Sequence, residues 1–215
     1  MDSNYVAKVL GITGICIGIV AGCVAQGPEN QKELDKKVEA FLQENKEKWQ
    51  DLNVPYEDGQ VLHDLIADNG CTAALEIGTS TGHSTVWIAW ALSKTGGKLV
   101  TIELDGDRQR QAKANVAAAG LSAFVDFRLG DAHDLVPEVE GPIDFVFSDA
   151  DKDWYVQYFK DVDPKLKKGG LFTAHNVLQS MSGIREYLEF VNNQPGYDTD
   201  IDKTSSSGIA ISRKK

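Results

Sequence analysis

Short apolar runs alternate with longer amphipathic segments along most of the chain. Six runs have strand length, at residues 73–77, 99–103, 125–129, 143–148, 170–175 and 208–212. Between them, apolar residues recur with helical spacing at residues 84–94, 107–119, 154–161 and 183–193. Strands separated by helices predict right-handed crossovers and a mostly parallel sheet with helices on both faces. The pattern therefore predicts an α/β fold.

Both ends of this alternating region add elements to the prediction. Residues 31–51 and 57–69 each carry apolar side chains at near-helical spacing, which predicts two helices before the first strand. Near the C-terminus, residues 198–202 and 208–212 are separated by a short polar segment, which predicts an antiparallel hairpin at the sheet edge. The expected sheet then has seven strands.

Composition narrows the class of protein. The chain has 215 residues, 42% hydrophobic and 25% charged, which is typical of one globular α/β domain. Its formal net charge of −10 argues against a nucleic-acid partner, because a phosphate backbone would be repelled. The chain has three cysteines, Cys16, Cys23 and Cys71. We interpret Cys71, which precedes the first predicted strand, as a small buried residue.

The N-terminal segment differs from the rest. Residues 9–25 are apolar and uncharged, and the run from Val20 to Cys23 resembles a bacterial lipobox. We predict a signal or lipoprotein-type membrane segment over residues 1–23, a tether over 24–30 and the folded domain over 31–215. Two other interpretations stay open: a cleaved signal or uncleaved anchor, and a mis-called start codon with a cytoplasmic protein.

The segment between residues 73 and 85 carries the most informative motif. Glu76 lies within the predicted strand, and Gly78 and Gly82 follow it with the spacing E-x-G-x-x-x-G before a helical segment begins. Glycines allow positive φ and close approach of a ligand, which the backbone N–H groups of the helix N-terminus would face. This spacing is not the G-x-G-x-x-G of a nicotinamide-dependent oxidoreductase. Glu103 ends the next strand, where a carboxylate can accept hydrogen bonds from both ribose hydroxyls.

These residues resemble class I S-adenosylmethionine-dependent methyltransferases, and most closely the small O-methyltransferases of the catechol and caffeoyl-CoA type. The resemblance implies a Rossmann-like sheet and S-adenosylmethionine as cofactor, and it matches residues 56–60 to a segment that closes over the cofactor. Ser84 matches a position that holds the methionine carboxylate. The expected cofactor-binding residues are Glu76, Gly78, Ser80, Gly82, Ser84, Glu103, Asp131 and Asp149.

Two acidic positions follow later strands. Asp131 can accept a hydrogen bond from an adenine amino group, or it can cap the turn that begins at Ala132. Asp149 opens a segment that resembles the D-A-x-K-x-x-Y signature of the metal-dependent members. In these members the aspartate binds a divalent cation and the cofactor, and the lysine, here Lys152, is the general base. A phenol must lose its proton before it attacks a sulfonium methyl group.

The end of the predicted strand at residues 170–175 departs from the family pattern. The metal-dependent members carry Asp-Asn after it as metal ligands, whereas this chain carries His175-Asn176. Imidazole suits Zn²⁺, Mn²⁺ or Fe²⁺ better than Mg²⁺. Three alternatives follow: a different metal held by Asp149, His175 and Asn176, no metal with His175 as the catalytic base, or lost activity.

The resemblance implies an O-methyltransferase for a small, phenolic or catechol-like acceptor, with Lys152 or His175 as base and a divalent metal (Mg²⁺, Mn²⁺ or Zn²⁺) as an open question. It also suggests a homodimer. The alternative is a non-catalytic, membrane-tethered binding protein that keeps the fold. Trp154, Tyr155 and Met181 are candidates for the acceptor pocket wall, and we interpret His83 and His133 as turn or capping residues.

Overall fold

The apolar runs form strands in the computed structural model, which describes residues 28–49 and 51–215. The strands are β1 (Ala73–Ile77), β2 (Lys98–Glu103), β3 (Val125–Leu129), β4 (Ile143–Ser148), β5 (Leu166–His175), β6 (Tyr197–Asp202) and β7 (Ile209–Lys214). The helices are α1 (Pro28–Asn45), α2 (Tyr56–Asn69), α3 (His83–Thr95), α4 (Gly106–Ala119), α5 (Ala132–Glu138), α6 (Tyr155–Val162) and α7 (Ser182–Asn192). The predicted α/β class is confirmed.

All seven strands belong to one sheet with the order β3-β2-β1-β4-β5-β7-β6. The first five are parallel, and β7 runs antiparallel to both of its neighbours, β5 and β6. The predicted antiparallel hairpin is therefore confirmed. The strand order reverses direction at β1, whose two neighbours are β2 and β4. In open α/β sheets a ligand crevice lies at such a reversal, outside the carboxyl ends of the strands.

Alternate residues of the central strands enter two different cores. Ala74 and Phe145 pack with side chains of α2 and α3, whereas Leu75 and Val146 pack with side chains of α6 and α7. Because successive side chains of a strand point to opposite faces, a sheet covered on both faces needs apolar residues at nearly every position. This explains why β1 and β4 appear in the sequence as short continuous apolar runs.

Two helices differ from the prediction. The first helix begins at Pro28 and ends at Asn45, so the predicted tether overlaps its first turn and residues 46–49 lie beyond it. Leu34, Val38 and Leu42 are its buried face. Helix α5 is missing from the prediction, since it is short and has Pro137 near its end. Asp131 caps it by accepting a hydrogen bond from the His133 backbone N–H.

The predicted membrane segment, residues 1–23, lies outside the described residues, as do residues 24–27 of the tether. Both stay predictions. Within the described ranges, none of the helices combines the length and the apolar character that crossing a bilayer requires. Cys71 is buried and unpaired, and burial raises the pKa of its thiol to about 11, as expected for a packing residue.

Candidate active site

A cavity of about 740 Å³ opens at the carboxyl ends of the parallel strands. This volume is within the range of small-molecule sites. Most residues that the sequence marks as functional line it together, and they are Gly78, Ser80, Ser84, Glu103, Asp131, Asp149, Lys152, His175 and Asn176. The fold therefore gathers the ends of five strands, β1 to β5, around one space.

Glu76 and Gly82 do not line this cavity. The Glu76 side chain is fully buried beneath it, and its carboxylate accepts hydrogen bonds of 2.6 Å from the hydroxyls of Ser84, Thr85 and Thr101. Burial raises the pKa of Glu76 to about 7, although the three hydroxyl donors oppose that rise. Glu76 therefore fixes the start of α3 from behind, and the Ser84 hydroxyl is committed to it.

The two loop glycines have separate roles. Gly78 has φ +98°, and a Cβ atom there would meet the backbone of Asp149 and Ala150 at 3.1 Å. Gly82 has φ +94°, and a Cβ atom there would meet Ala112 of α4 at 3.0 Å. Gly78 thus lets the end of β1 approach the end of β4, whereas Gly82 lets α3 begin against α4.

Glu103 anchors the glycine loop from the neighbouring strand. Its carboxylate accepts hydrogen bonds from the backbone N–H groups of Ser80, at 2.7 Å, and Asp105, at 3.0 Å. Ser80 has φ +48°, a left-handed conformation that is uncommon for a residue other than glycine. The bond from Ser80 to Glu103 holds that conformation, so the loop and the acid form one unit on the cavity wall.

Asp149 and Lys152 form an ion pair at the end of β4. The Lys152 Nζ lies 2.7 Å from Asp149 Oδ1 and also donates to the Asp149 backbone carbonyl oxygen at 3.0 Å. Their side chains are 12% and 21% exposed, so the pair faces the cavity without being open to bulk water. The two contacts with Asp149 hold the Lys152 nitrogen at the cavity wall.

His175 connects this pair to a residue that the sequence analysis missed. Its Nε2 lies 2.8 Å from Oδ2 of Asp58, a fully buried carboxylate in the first turn of α2. Its Nδ1 lies 3.2 Å from Asp149 Oδ2, an ion-pair contact rather than an aligned hydrogen bond. Burial lowers the pKa of His175, but contacts with Asp149 and Asp58 outweigh it and raise the pKa to about 9. At neutral pH His175 is a cation between two carboxylates.

The donor set does not fit the metal centre that the resemblance allows. Both oxygens of Asp149 face cationic side chains, and both ring nitrogens of His175 face carboxylates. A protonated imidazole offers no lone pair to a metal, because a ligating histidine must be neutral. As arranged here, Asp149, His175 and Asn176 therefore do not fit a metal centre.

The segment that covers the cavity lies earlier than predicted. Leu52 and Asn53 line the cavity, whereas Tyr56 lines a separate pocket beside Trp87 and Trp90. The cover is attached by Asp51, which makes a bidentate ion pair with Arg108 of α4 at 3.0 Å. The first predicted helix includes Asp51, and no helix or strand pattern marks Leu52 and Asn53, so the role of this cover depends on the tertiary fold.

The structure confirms some of the predicted positions of the remaining pocket-wall and histidine residues and corrects others. Met181 lines the cavity as expected, together with Gln179, whereas Tyr155 is fully buried. His133 also lines the cavity and stacks on Trp154 with ring centroids 4.1 Å apart, so it is more than a turn residue. His83 is buried, and burial lowers its pKa to about 4. His83 is therefore neutral and structural.

The fold and the cavity define a doubly wound α/β protein with a ligand crevice at the carboxyl edge of its sheet. A family model described as O-methyltransferase matches residues 26–186 of the chain. The chain therefore belongs to the O-methyltransferase family.

Individual relatives agree with this family. A catechol O-methyltransferase of Niastella koreensis is 40% identical over 49% of this chain and 49% of its own length. Caffeoyl-CoA O-methyltransferase 1 of Zea mays is 32% identical over 76% of this chain and 66% of its own length. The crystal structure of an O-methyltransferase from Bacillus cereus in complex with SAH superposes with a TM-score of 0.72. It is 26% identical and covers 89% of this chain and 93% of the other. The chain thus spans half to two-thirds of these curated relatives.

Proposed function

We propose that this protein transfers a methyl group from S-adenosylmethionine to the hydroxyl oxygen of a small, phenolic or catechol-like acceptor. One observation carries the proposal. A single cavity joins Glu103 and the glycine loop at one end to Asp149 and Lys152 at the other. Family membership and the names of the catechol and caffeoyl-CoA relatives support the same reaction and acceptor class.

The β1–β2 end would hold the cofactor. Glu103 would accept hydrogen bonds from the ribose hydroxyls, and backbone N–H groups at the start of α3 would receive the methionine carboxylate. Leu52 and Leu104 line the cavity although they are 72% and 69% exposed, which suits the two apolar faces of an adenine ring. Asp131, at the end of β3, would accept a hydrogen bond from the adenine amino group.

The β4–β5 end would hold the acceptor. The acceptor oxygen attacks the methyl carbon, the bond from carbon to sulfur breaks, and its electron pair stays on sulfur. The ammonium group of Lys152 is paired with Asp149, so it must first release a proton to water, and the neutral amine then takes the hydroxyl proton of the acceptor. His175 is a poor base here, because both of its ring nitrogens face carboxylates and neither is left for the acceptor hydroxyl. We therefore assign the base to Lys152, with Asp149 orienting it.

Calorimetry with S-adenosylmethionine and a methyl-transfer assay with catechol and caffeoyl-CoA test the proposal in two steps. Binding followed by formation of the methylated acceptor is the expected result. Failure of the intact protein to bind the cofactor would overturn the proposal. Cofactor binding without transfer to any phenolic acceptor would instead favour the alternative, a binding protein that keeps this fold without turnover.

The lipoprotein-type segment and the homodimer are further proposals. Mass spectrometry of the protein from bacterial membranes would show a lipid on Cys23 if the segment is a lipoprotein signal. Sedimentation of the soluble domain would give its oligomeric state.

A further inference from the structure

The acceptor end contains one more buried acid than the family resemblance predicts. Asp58 belongs to an amphipathic helix, yet its side chain is fully buried and lies 117 residues before its partner His175 in the sequence. Its Oδ2 also accepts a hydrogen bond from the Ser205 hydroxyl, in the loop between β6 and β7, at 2.8 Å. A buried carboxylate is costly unless a cation and hydrogen bonds compensate it. Here His175 is that cation.

The four charged side chains alternate in sign along one chain of contacts. Asp58 meets His175 at 2.8 Å, His175 meets Asp149 at 3.2 Å, and Asp149 meets Lys152 at 2.7 Å. Two carboxylates face two basic side chains, so these four groups balance one another in charge. Both ring nitrogens of His175 face carboxylate oxygens, so both carry a proton, and a divalent cation bound by Asp149 and His175 would have to displace one of these protons.

We propose that the acceptor end works without a divalent metal, and that His175, held between Asp58 and Asp149, takes the place of the ion. Asp58 is then a positioning residue, because it acts only through His175. His175 fixes Asp149, and Asp149 aims Lys152 at the acceptor oxygen. Once Lys152 has taken the acceptor's proton, its positive charge stabilises the ionised acceptor. This inference rests on the proposed methyl transfer.

The first experiment uses the full-length protein freed of metals by a chelator. Calorimetric titration with MgCl₂, MnCl₂ and ZnCl₂ is expected to show no binding at the cavity, and methyl transfer to catechol is expected to be unchanged by EDTA. Stoichiometric binding of any of these ions that disappears in His175→Ala would overturn the proposal. This metal-binding outcome is a real test, because a metal-bound histidine also has a carboxylate on its other ring nitrogen, as Asp58 is on Nε2 of His175. Loss of activity in EDTA would overturn it as well.

The second experiment restores a metal site. The double variant Asp58→Asn/His175→Asp removes the buried acid and its cation and supplies a second carboxylate ligand beside Asp149 and Asn176. It is expected to bind Mn²⁺ at least about tenfold more tightly than the natural protein, because carboxylate oxygens are preferred ligands of such ions. Paramagnetic resonance of Mn²⁺ reports this binding without reference to activity.

Ser205→Ala is the matched control. It removes one hydrogen bond to the same oxygen of Asp58 but leaves all charges in place, so it is expected to gain no Mn²⁺ binding. A folded double variant with no gain would count against the proposal, and folding is checked by circular dichroism. If the double variant does not fold, the metal titration of the natural protein still decides. Absence of S-adenosylmethionine binding would overturn the proposed function separately, since the metal titration needs no cofactor.

Discussion

The two ends of the cavity stabilise their carboxylates in different ways. At the cofactor end, Glu76 and Glu103 accept hydrogen bonds from hydroxyls and backbone N–H groups, and among the described residues neither forms an ion pair. At the acceptor end, Asp58 and Asp149 contact the cationic side chains of His175 and Lys152. The contrast separates the proposed cofactor region from the proposed acceptor region.

The protonation behaviour of the two ends follows from this difference. Burial raises the pKa of Glu76, and the hydrogen bonds from its three neutral hydroxyl donors only partly counteract that rise, so the pKa is about 7. Paired carboxylates at the other end instead raise the pKa of His175 to about 9. The buried carboxyl group of Glu76 therefore stays close to protonation, whereas the carboxylates at the other end keep His175 charged. Substitutions at the two ends should consequently affect different measurements.

Replacement of Lys152 should give the largest effect. Lys152→Ala removes the proposed base, and kcat for a catechol acceptor should fall by about 10²–10⁴-fold, the usual contribution of a general base. Affinity for S-adenosylmethionine, measured by calorimetry, should stay within about twofold because the cofactor end is intact. Lys160→Ala, an exposed lysine of α6 outside the cavity, is the control and should leave kcat unchanged. An unaffected kcat in Lys152→Ala would contradict the assignment.

Glu76 should make folding stability depend on pH. Its pKa in the folded state, about 7, is above the ordinary value of 4.5. The stability that this raised pKa contributes is therefore fully present below pH 4.5 and is lost as the pH rises through 7. Relative to Glu76→Gln, the natural protein should lose up to about 3 kcal/mol of unfolding free energy across this interval.

Urea unfolding of both proteins at pH 5 and pH 8 gives this difference directly. The comparison with the variant is necessary because the lowered pKa of His83, about 4, acts in the opposite direction over part of the same range. Stability from neutral His83 is lost as the pH falls below its ordinary value of 6.5. Parallel pH profiles for the natural protein and Glu76→Gln would rule out a raised pKa for Glu76.

Glu103 should control cofactor affinity. Glu103→Ala removes the proposed ribose acceptor and the anchor of Ser80, and S-adenosylmethionine should bind about 100-fold more weakly, as expected for lost charge-assisted hydrogen bonds. Glu103→Gln keeps the shape and one oxygen acceptor, so its loss should be intermediate. Calorimetry measures both variants. Equal affinity in all three proteins would place the cofactor elsewhere.

The cover of the cavity should give the smallest effect. Asp51→Asn weakens the ion pair with Arg108, which is partly exposed. Affinity for S-adenosylmethionine should fall only about two- to fivefold, since exposed ion pairs contribute at most about 1 kcal/mol. Asp107→Asn weakens the exposed pair with Arg110 on the same helix, away from the cavity, and should leave the affinity unchanged. An equal loss in both variants would mean that the cover has no specific role.

The elements were predictable where local pattern decides them. The predicted bounds of β1, β3 and β4 are identical to those observed, because each is a short run between turn residues. The pattern predicts that helix α1 continues to residue 51, but the helix ends at Asn45. A charged segment with apolar residues at helical spacing favours a helix whether or not those apolar residues pack against the core. Only contacts with α3 and α4 decide where its buried face ends.

Most of the candidate site was also predictable, for a topological reason. Parallel strands bring their carboxyl ends to one edge, so residues just after each apolar run must meet there. This logic correctly places Gly78, Glu103, Asp149 and Lys152 on one cavity. It does not predict the roles of Glu76 and Gly82. Glu76 is buried beneath the cavity, and Gly82 lets α3 begin against α4.

The sequence by itself determined the sheet, the glycine loop and the acids after the strands, because these depend on short-range periodicity and on the geometry of parallel strands. The tertiary structure alone decided the environment of His175. In the sequence, Asp58 is an ordinary acidic residue in the first turn of a helix, where such residues are common. Only the tertiary fold brings the start of α2 to the end of β5 and buries this residue beside the imidazole. A residue's charge state depends on neighbours that are distant in the sequence, and the fold supplies them.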